Sequence, residues 1–380
     1  MDKILFFDTT CSGHRASYDL SLMKGVSQER EVLFVSKLTN PIKASLEQEG
    51  IQYVRITTSK KHHLLHDWSL LLQMMRIARR SNIKHIHLLY LDSLLILLLF
   101  LAPFFFALNL KITGTLHWSP NKPAKRLLLK ILVLGKALQK IVVHGDYTKD
   151  KLRELLGRGR ADCVFSIPYP HLHDSTQTNP GYRVAPEEEA RIKQLARPFL
   201  LLFGGLRYDK GADLLIESLK HIRNRSYTLF IVGKEEHFDY QFIKRELEGT
   251  ELKNHVYLKL GYVPDEEVSY YFAMTDAVVL PYRKIFTGQS GPLTEGAANR
   301  KFIIGPDHGE LGYTIKTYDL GVTYAVEDTN DLASMLQTYI DNYKSGKNQL
   351  KPSGFDYYKG IVSEQHFWHR YREFFSEAAS

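Results

Sequence analysis

The chain has 380 residues, 44% of them apolar and 24% charged, which excludes a disordered or fibrous polypeptide and leaves room for two or three domains of roughly 100–200 residues. Its formal charge of +8 is lopsided: residues 1–170 carry 25 Lys+Arg against 13 Asp+Glu, and residues 171–380 carry 25 against 29. The only two cysteines, Cys11 and Cys163, are far apart and outside any CxxC or Cys/His spacing, which argues against a disulfide framework and a structural zinc site and suits a reducing compartment.

In chain order, an apolar run at residues 4–7 is stopped by Asp8; it is too short for a signal-peptide core and reads as a first strand. Further strands are predicted at residues 31–35, 53–56, 83–89, 111–116, 140–144 and 163–167, separated by helical stretches such as 14–26, 68–81 and 124–138. Such alternation implies a parallel sheet covered on both faces. The run at 94–108, LLILLLFLAPFFFAL, is interrupted by Pro103; it falls short of the about 20 residues of a membrane span and reads as a buried helix or an interfacial segment.

Pro168, Pro170, Pro180 and Pro186, interspersed with Ser, Thr, Asn and Asp, mark a linker assigned to residues 171–197. Pro198 opens a second alternating series, with strands predicted at 199–203, 228–232, 256–258, 277–280, 302–304 and 322–324. The expected architecture is α/β, with two Rossmann-like doubly wound domains facing across a cleft: residues 1–170 and 198–355. In the tail, residues 356–380, an aromatic stripe at Phe367, Trp368, Tyr371, Phe374 and Phe375 fits one helical face. This helix is expected to cross back to the amino-terminal domain, with packing on the second domain as the alternative.

Four stretches at strand ends carry candidate chemistry. In the first, Asp8-Thr9-Thr10-Cys11-Ser12-Gly13-His14, Gly13 frees the backbone where a helix N-terminus offers N–H groups to an anion; an ordinary strand-to-helix turn has the same composition. In the second, His117 follows a strand and is placed to hydrogen-bond a sugar hydroxyl or share in proton transfer, or to be structural. In the third, Gly204 and Gly205 let the backbone approach a ligand, and Arg207 and Lys210 bring two cations to a leaving diphosphate. The spacing is not that of a P-loop. In the fourth, Thr287 to Gly296, Pro292 suits the first helical turn, so Ser290, Gly291 and Leu293 present backbone N–H groups, and Glu295 is placed for a ribose diol or as a complement to the helix dipole.

Together these stretches resemble the GT-B glycosyltransferases of family 4. The resemblance is carried by Phe203 to Leu215 (FGGLRYDKGADLL), by residues 261–305 (GYVPDEEVSYYFAMTDAVVLPYRKIFTGQSGPLTEGAANRKFIIG), by the Ser12-Gly13-His14 turn and by residues 137–152 (ALQKIVVHGDYTKDKL). It implies that Arg207 and Lys210 bind the diphosphate and that Glu295, the second acid of a Glu-x7-Glu motif, binds the ribose. It further implies that Gly13 lies on a loop closing over the donor and that His117 contacts the donor sugar. Two departures stand out: the first acid of the motif falls on Thr287, and the family's common Gly-Arg-Leu reads Gly204-Gly205-Leu206.

The expected function is a retaining glycosyltransferase of the cytoplasm, acting on a UDP- or GDP-sugar and a glycan or lipid-linked acceptor in surface polysaccharide or glycolipid synthesis. No cofactor and no metal are expected for the chemistry. The basic half, with Lys122, Lys125, Arg126, Lys130, Lys136 and Lys140, fits an anionic membrane surface. Nucleic acid is not expected, because no aromatic stacking platform interleaves with these cations. The alternatives are a nucleotide-sugar epimerase of the same fold and a non-catalytic nucleotide-sugar-binding homologue.

Overall fold

Runs such as Ile4–Phe7 (ILFF) and Phe199–Phe203 (FLLLF) have no polar face, and each is buried throughout as an inner strand of a parallel sheet. In the computed structural model, which describes residues 3–11, 14–173, 184–346 and 352–379, the chain divides into two units. One contains residues 1–172, 287–289 and 363–380, and the other residues 173–286 and 290–362.

The amino-terminal unit runs β1 (Ile4–Phe7), α1 (His14–Ser27), β2 (Val32–Ser36), α2 (Asn40–Gln48), β3 (Gln52–Arg55), α3 (His63–Arg80), β4 (His85–Leu88), α4 (Leu95–Ala107), β5 (Lys111–Leu116), α5 (Pro123–Leu134), β6 (Lys140–Val143), α6 (Asp146–Leu156) and β7 (Val164–Ser166). Its seven-stranded sheet has the order β3-β2-β1-β4-β5-β6-β7, with every pairing parallel. The order reverses between β1 and β4, the point at which such sheets open a crevice at their carboxyl ends.

The carboxyl-terminal unit begins with α7 (Pro186–Lys193) and continues β8 (Phe199–Phe203), α8 (Ala212–Lys220), β9 (Thr228–Gly233), α9 (Tyr240–Leu247), β10 (Val256–Leu260), α10 (Asp265–Met274), β11 (Ala277–Val279), α11 (Gly291–Ala298), β12 (Phe302–Pro306), α12 (Gly309–Thr317), β13 (Gly321–Tyr324), α13 (Thr329–Tyr343) and α14 (Pro352–Ile361). Its six parallel strands have the order β10-β9-β8-β11-β12-β13, reversing between β8 and β11.

Two expectations need correction. The stretch read as a linker contains α7, whose start is marked by Pro186 and three acids, Glu187 to Glu189, and whose end by Arg191 and Lys193. That charge order complements the helix dipole and outweighs the proline-rich composition around it. The apolar run at 94–108 forms α4, but not as a wholly buried helix: Leu98, Leu101 and Phe105 are buried, whereas Phe100, Phe104 and Phe106 are exposed. Among the described residues no helix is long and apolar enough to cross a membrane.

The tail is two helices rather than one. The second, α15 (Glu364–Ala379), belongs to the amino-terminal unit, where it packs along α1. Phe367, Tyr371, Phe374 and Phe375 are buried there among Tyr18, Leu22 and Phe6. A side chain at Gly25 on α1 would collide with Trp368, so the missing Cβ sets the approach of the two helices. The Tyr371 hydroxyl lies 2.7 Å from that of Tyr18 and 2.8 Å from Thr115 Oγ1, which in turn lies 3.1 Å from His87 Nε2. In a buried setting such a chain is costly to interrupt. Tyr371→Phe should therefore lower unfolding free energy by about 1–3 kcal/mol, measured by urea denaturation; a change within error would show that the chain contributes nothing to stability.

Candidate functional site

In the carboxyl-terminal unit, β8 and β11 end side by side at the strand reversal. After β8, Gly204 takes φ +106°, and a Cβ there would lie 2.6 Å from Lys210 Nζ. Only glycine leaves that space for the ammonium. A short 3₁₀ turn, Tyr208–Lys210, ends at Gly211 in the left-handed conformation, φ +63°, where any side chain would strike the Pro281 carbonyl. After β11, the buried Tyr282 places its ring 5.5 Å from Lys210 Nζ.

Arg283 holds the turn in place. Its guanidinium meets both Asp213 oxygens at 2.5 and 3.0 Å, donates to the Tyr208 carbonyl, and lies 4.0 Å from the Tyr208 ring centre. The Arg283 backbone N–H bonds to the Asp209 carbonyl at 2.9 Å. Sequence reasoning missed this residue; its position four residues after β11, opposite the Gly211 turn, emerges only when the strands pair.

The two expected cations differ in state. Arg207 forks onto Asp209, Nε to Oδ1 at 2.9 Å and Nη2 to Oδ2 at 2.7 Å. Lys210 forms no ion pair among the described residues and places its Nζ beside Gly204 and the Tyr282 ring. The fork expected to face a phosphate is thus closed on the turn's own carboxylate, because Asp209 follows two residues later on the same tight turn.

Ser290 caps α11: its hydroxyl accepts from the Leu293 N–H at 3.3 Å and lies 3.2 Å from the Tyr282 hydroxyl. The Thr294 N–H bonds to the Ser290 carbonyl, and Pro292 has no N–H. Leu293 is fully buried. Its predicted backbone contact to a ligand is therefore corrected to a capping bond, and Gly291 supplies the open N–H at this helix end.

Glu295, one turn into α11, is buried with its Oε1 2.9 Å from His173 Nδ1, while His173 Nε2 lies 3.7 Å from Asp265. Burial opposes charge on His173, but hydrogen bonds and attraction from Asp265 and Glu295 outweigh it and raise its pKa to about 10. His173 was not singled out in the sequence, where it is one more histidine in a proline-rich stretch.

The amino-terminal unit holds the other candidates. His117, half-buried after β5, lies flat on Tyr90 at 4.0 Å with its Nε2 3.0 Å from the Leu89 carbonyl. That nitrogen donates, leaving Nδ1 as acceptor. Burial and the neighbouring His144 hold its pKa well below the usual range, so the ring is neutral. In this form His117 offers a lone pair at Nδ1 as hydrogen-bond acceptor. Asp92 fixes the turn by accepting from the His117 and Trp118 N–H groups at 3.1 and 2.7 Å; burial raises its own pKa to about 6. The three residues 287–289 belong to this unit: the Thr287 hydroxyl donates to the Ser119 carbonyl at 2.9 Å, and Gly288 bridges to Trp118. Gly13 lies outside the described residues.

Residues 186–352 match the family model described as glycosyl transferases group 1. The match begins at α7 and runs to the start of α14. Across its full length the chain is similar to the Anabaena protein Alr3699/HepE in complex with UDP, at 16% identity over 99% of each chain and a TM-score of 0.71. It is also similar to sucrose-phosphate synthase from Thermosynechococcus elongatus, at 13% identity over 100% of each chain and a TM-score of 0.75. A third similar structure is the apo lipopolysaccharide outer core galactosyltransferase WaaB, at 14% identity over 99% of this chain and 100% of that one, TM-score 0.69. The fold is GT-B. No curated protein sequence matches the chain.

In the carboxyl-terminal unit Tyr282 lies against Lys210, which sits beside Gly204, and against Ser290, while Glu295 lies farther along α11 against His173. Among the described residues no cluster of His, Cys, Asp and Glu has metal-site geometry. Because the folded pKa of His173 is raised, its stabilising contribution is complete below the unfolded value of 6.5 and is lost as pH rises toward about 10. Stability of the domain should fall over that window, and His173→Gln should flatten the slope; equal slopes in urea titrations of both proteins would rule the ion pair out as the cause.

Proposed function

We propose that the protein is a retaining glycosyltransferase that moves a sugar from a UDP- or GDP-sugar to a glycan or lipid-linked acceptor in surface polysaccharide or glycolipid synthesis. The observation that carries the reading is the Lys210 ammonium, which has no ion-pair partner among the described residues and sits beside Gly204 at the strand reversal, within the segment that matches the glycosyl transferases group 1 model. When the glycosidic bond to the donor breaks, its electron pair goes to the diphosphate, and a fixed cation there stabilises the charge as it forms. Gly291 adds a helix-end N–H. Arg207 joins the diphosphate by releasing Asp209 or by bridging it.

Glu295 is read as the ribose ligand, with His173 as the group that keeps it ionised and oriented. Neutral His117 offers Nδ1 to a donor-sugar hydroxyl. Retention follows if the leaving phosphate takes the acceptor proton on the face from which it departs; no side chain is then needed as base, and no metal. The Thr287 hydroxyl is engaged with Ser119, so the sugar contact made by an acid in the family pattern falls to other groups. That same observation favours the non-catalytic nucleotide-sugar-binding reading as the second choice.

Thermal-shift measurements with nucleoside diphosphates and their sugars test donor binding; a ligand at a hundred times its Kd adds about 2.7 kcal/mol of stability. Lys210→Ala should reduce transfer by about 10²–10³-fold with the fold intact. Wild-type transfer by that variant would refute the diphosphate role. Donor binding with neither transfer nor hydrolysis would select the non-catalytic reading, and an inverted anomeric product by NMR would replace retention.

A further inference from the structure

Seven of the fifteen large apolar side chains that stand exposed in the described chain lie on α4 and α5. These two helices pack against each other in the amino-terminal unit and bury their other faces in its core through residues such as Leu98, Leu101, Leu129 and Leu132. Phe100, Phe104 and Phe106 on α4 are 63%, 55% and 56% exposed, and Leu127, Ile131 and Leu134 on α5 are 60%, 44% and 47% exposed. Single exposed apolar residues need no explanation, but a clustered set on neighbouring helices marks an interaction site.

The charge around this face has one sign. Residues 93–145 contain seven Lys+Arg and no Asp or Glu. Among the described residues Lys122, Arg126, Lys130 and Lys136 form no ion pair, whereas Lys125 donates to the Asp92 carbonyl at 3.2 Å. Exposed aromatic and aliphatic tips bordered by cations without counter-ions match the two features that hold a protein on an anionic bilayer: shallow burial of apolar groups and attraction to the headgroups. Lys and Arg stems suit that boundary, since their methylenes lie along apolar surface while the charge stays with the headgroups. A second copy of the chain fits less well, because a two-fold contact through this face would set one basic border against another.

We propose that α4 and α5 form a docking surface that seats the amino-terminal unit on an anionic lipid bilayer, with Phe100 and Phe104 entering the headgroup boundary. The proposal deepens the lipid-linked acceptor reading and rests on it for its purpose. It also accounts for Asp92, which joins the start of α4 to the His117 turn and so fixes the membrane face relative to that turn. The surface needs no acceptor to bind, so it can be tested apart from transfer.

The full chain should co-sediment with mixed phosphatidylglycerol and phosphatidylcholine vesicles at least about tenfold more strongly than with phosphatidylcholine alone, and raised salt should abolish the difference. Phe100→Ser with Phe104→Ser, and separately Lys122→Glu with Arg126→Glu, should each lower that binding at least about tenfold. Because these side chains are exposed, melting temperature and nucleotide-induced thermal shift should stay as in the wild type. Equal binding to both vesicle types, or wild-type binding by either double variant, would overturn the proposal. So would self-association in ultracentrifugation that the phenylalanine variant removes while vesicle binding stays absent. Loss of nucleotide binding in the wild type, with vesicle binding intact, would instead count against the enzymatic reading alone.

Discussion

Where β8 and β11 run side by side, the chain leaves one toward one edge of the sheet and the other toward the opposite edge. The carboxyl ends of these strands are therefore left open between diverging connections. The chemistry of the carboxyl-terminal unit depends on that opening. It lets the Gly204 to Gly211 turn meet the segment Pro281–Arg283, and the approach is so close that Gly211 cannot carry a side chain. Arg283 then converts proximity into a fixed geometry, binding the Tyr208 carbonyl and Asp213 together.

Within that frame the charges are arranged unequally. Arg207 is neutralised by Asp209 and Glu295 is balanced by a protonated His173, but Lys210 faces a tyrosine ring and a glycine. A cation with no ion-pair partner among the described residues is available to an anion from outside, and in the proposed reaction its fixed position would spare a reorganisation at the moment of bond breaking. The paired groups serve a different end. They keep a buried carboxylate ionised and a guanidinium in place at positions where burial would otherwise favour neutral forms or collapse.

The amino-terminal unit works by different means. Its polar groups at the sheet's carboxyl edge are held neutral: His117 on Tyr90, His144 bonded to Ile167, and His87 in a hydroxyl chain that ends at Tyr371 of the last helix. Burial lowers the pKa of all three histidines. The same unit exposes apolar side chains on α4 and α5, and the cations near them, such as Lys122, Arg126 and Lys130, all lie on or beside α5.

Much of this was legible before any coordinates. Unbroken apolar runs four to six residues long, alternating with longer amphipathic stretches, specify two parallel sheets because such runs tolerate no exposed face. Gly204, Lys210 and Glu295 could be picked out because strand ends, glycines and helix starts are local signals. Long-range partnerships could not: Glu295 with His173 and Arg283 with Asp213 join segments far apart in the chain, and which segments meet is chosen by packing across the whole sheet, whereas Arg207 with Asp209 closes within a single turn. The aromatic stripe of the tail likewise declared that it must be buried, but two hydrophobic surfaces were available to it. Only the tertiary structure decided for α1, where Gly25 makes room for Trp368 and Tyr18 meets Tyr371, because local periodicity fixes that a face is apolar and long-range complementarity of shape and hydrogen bonding fixes against what it packs.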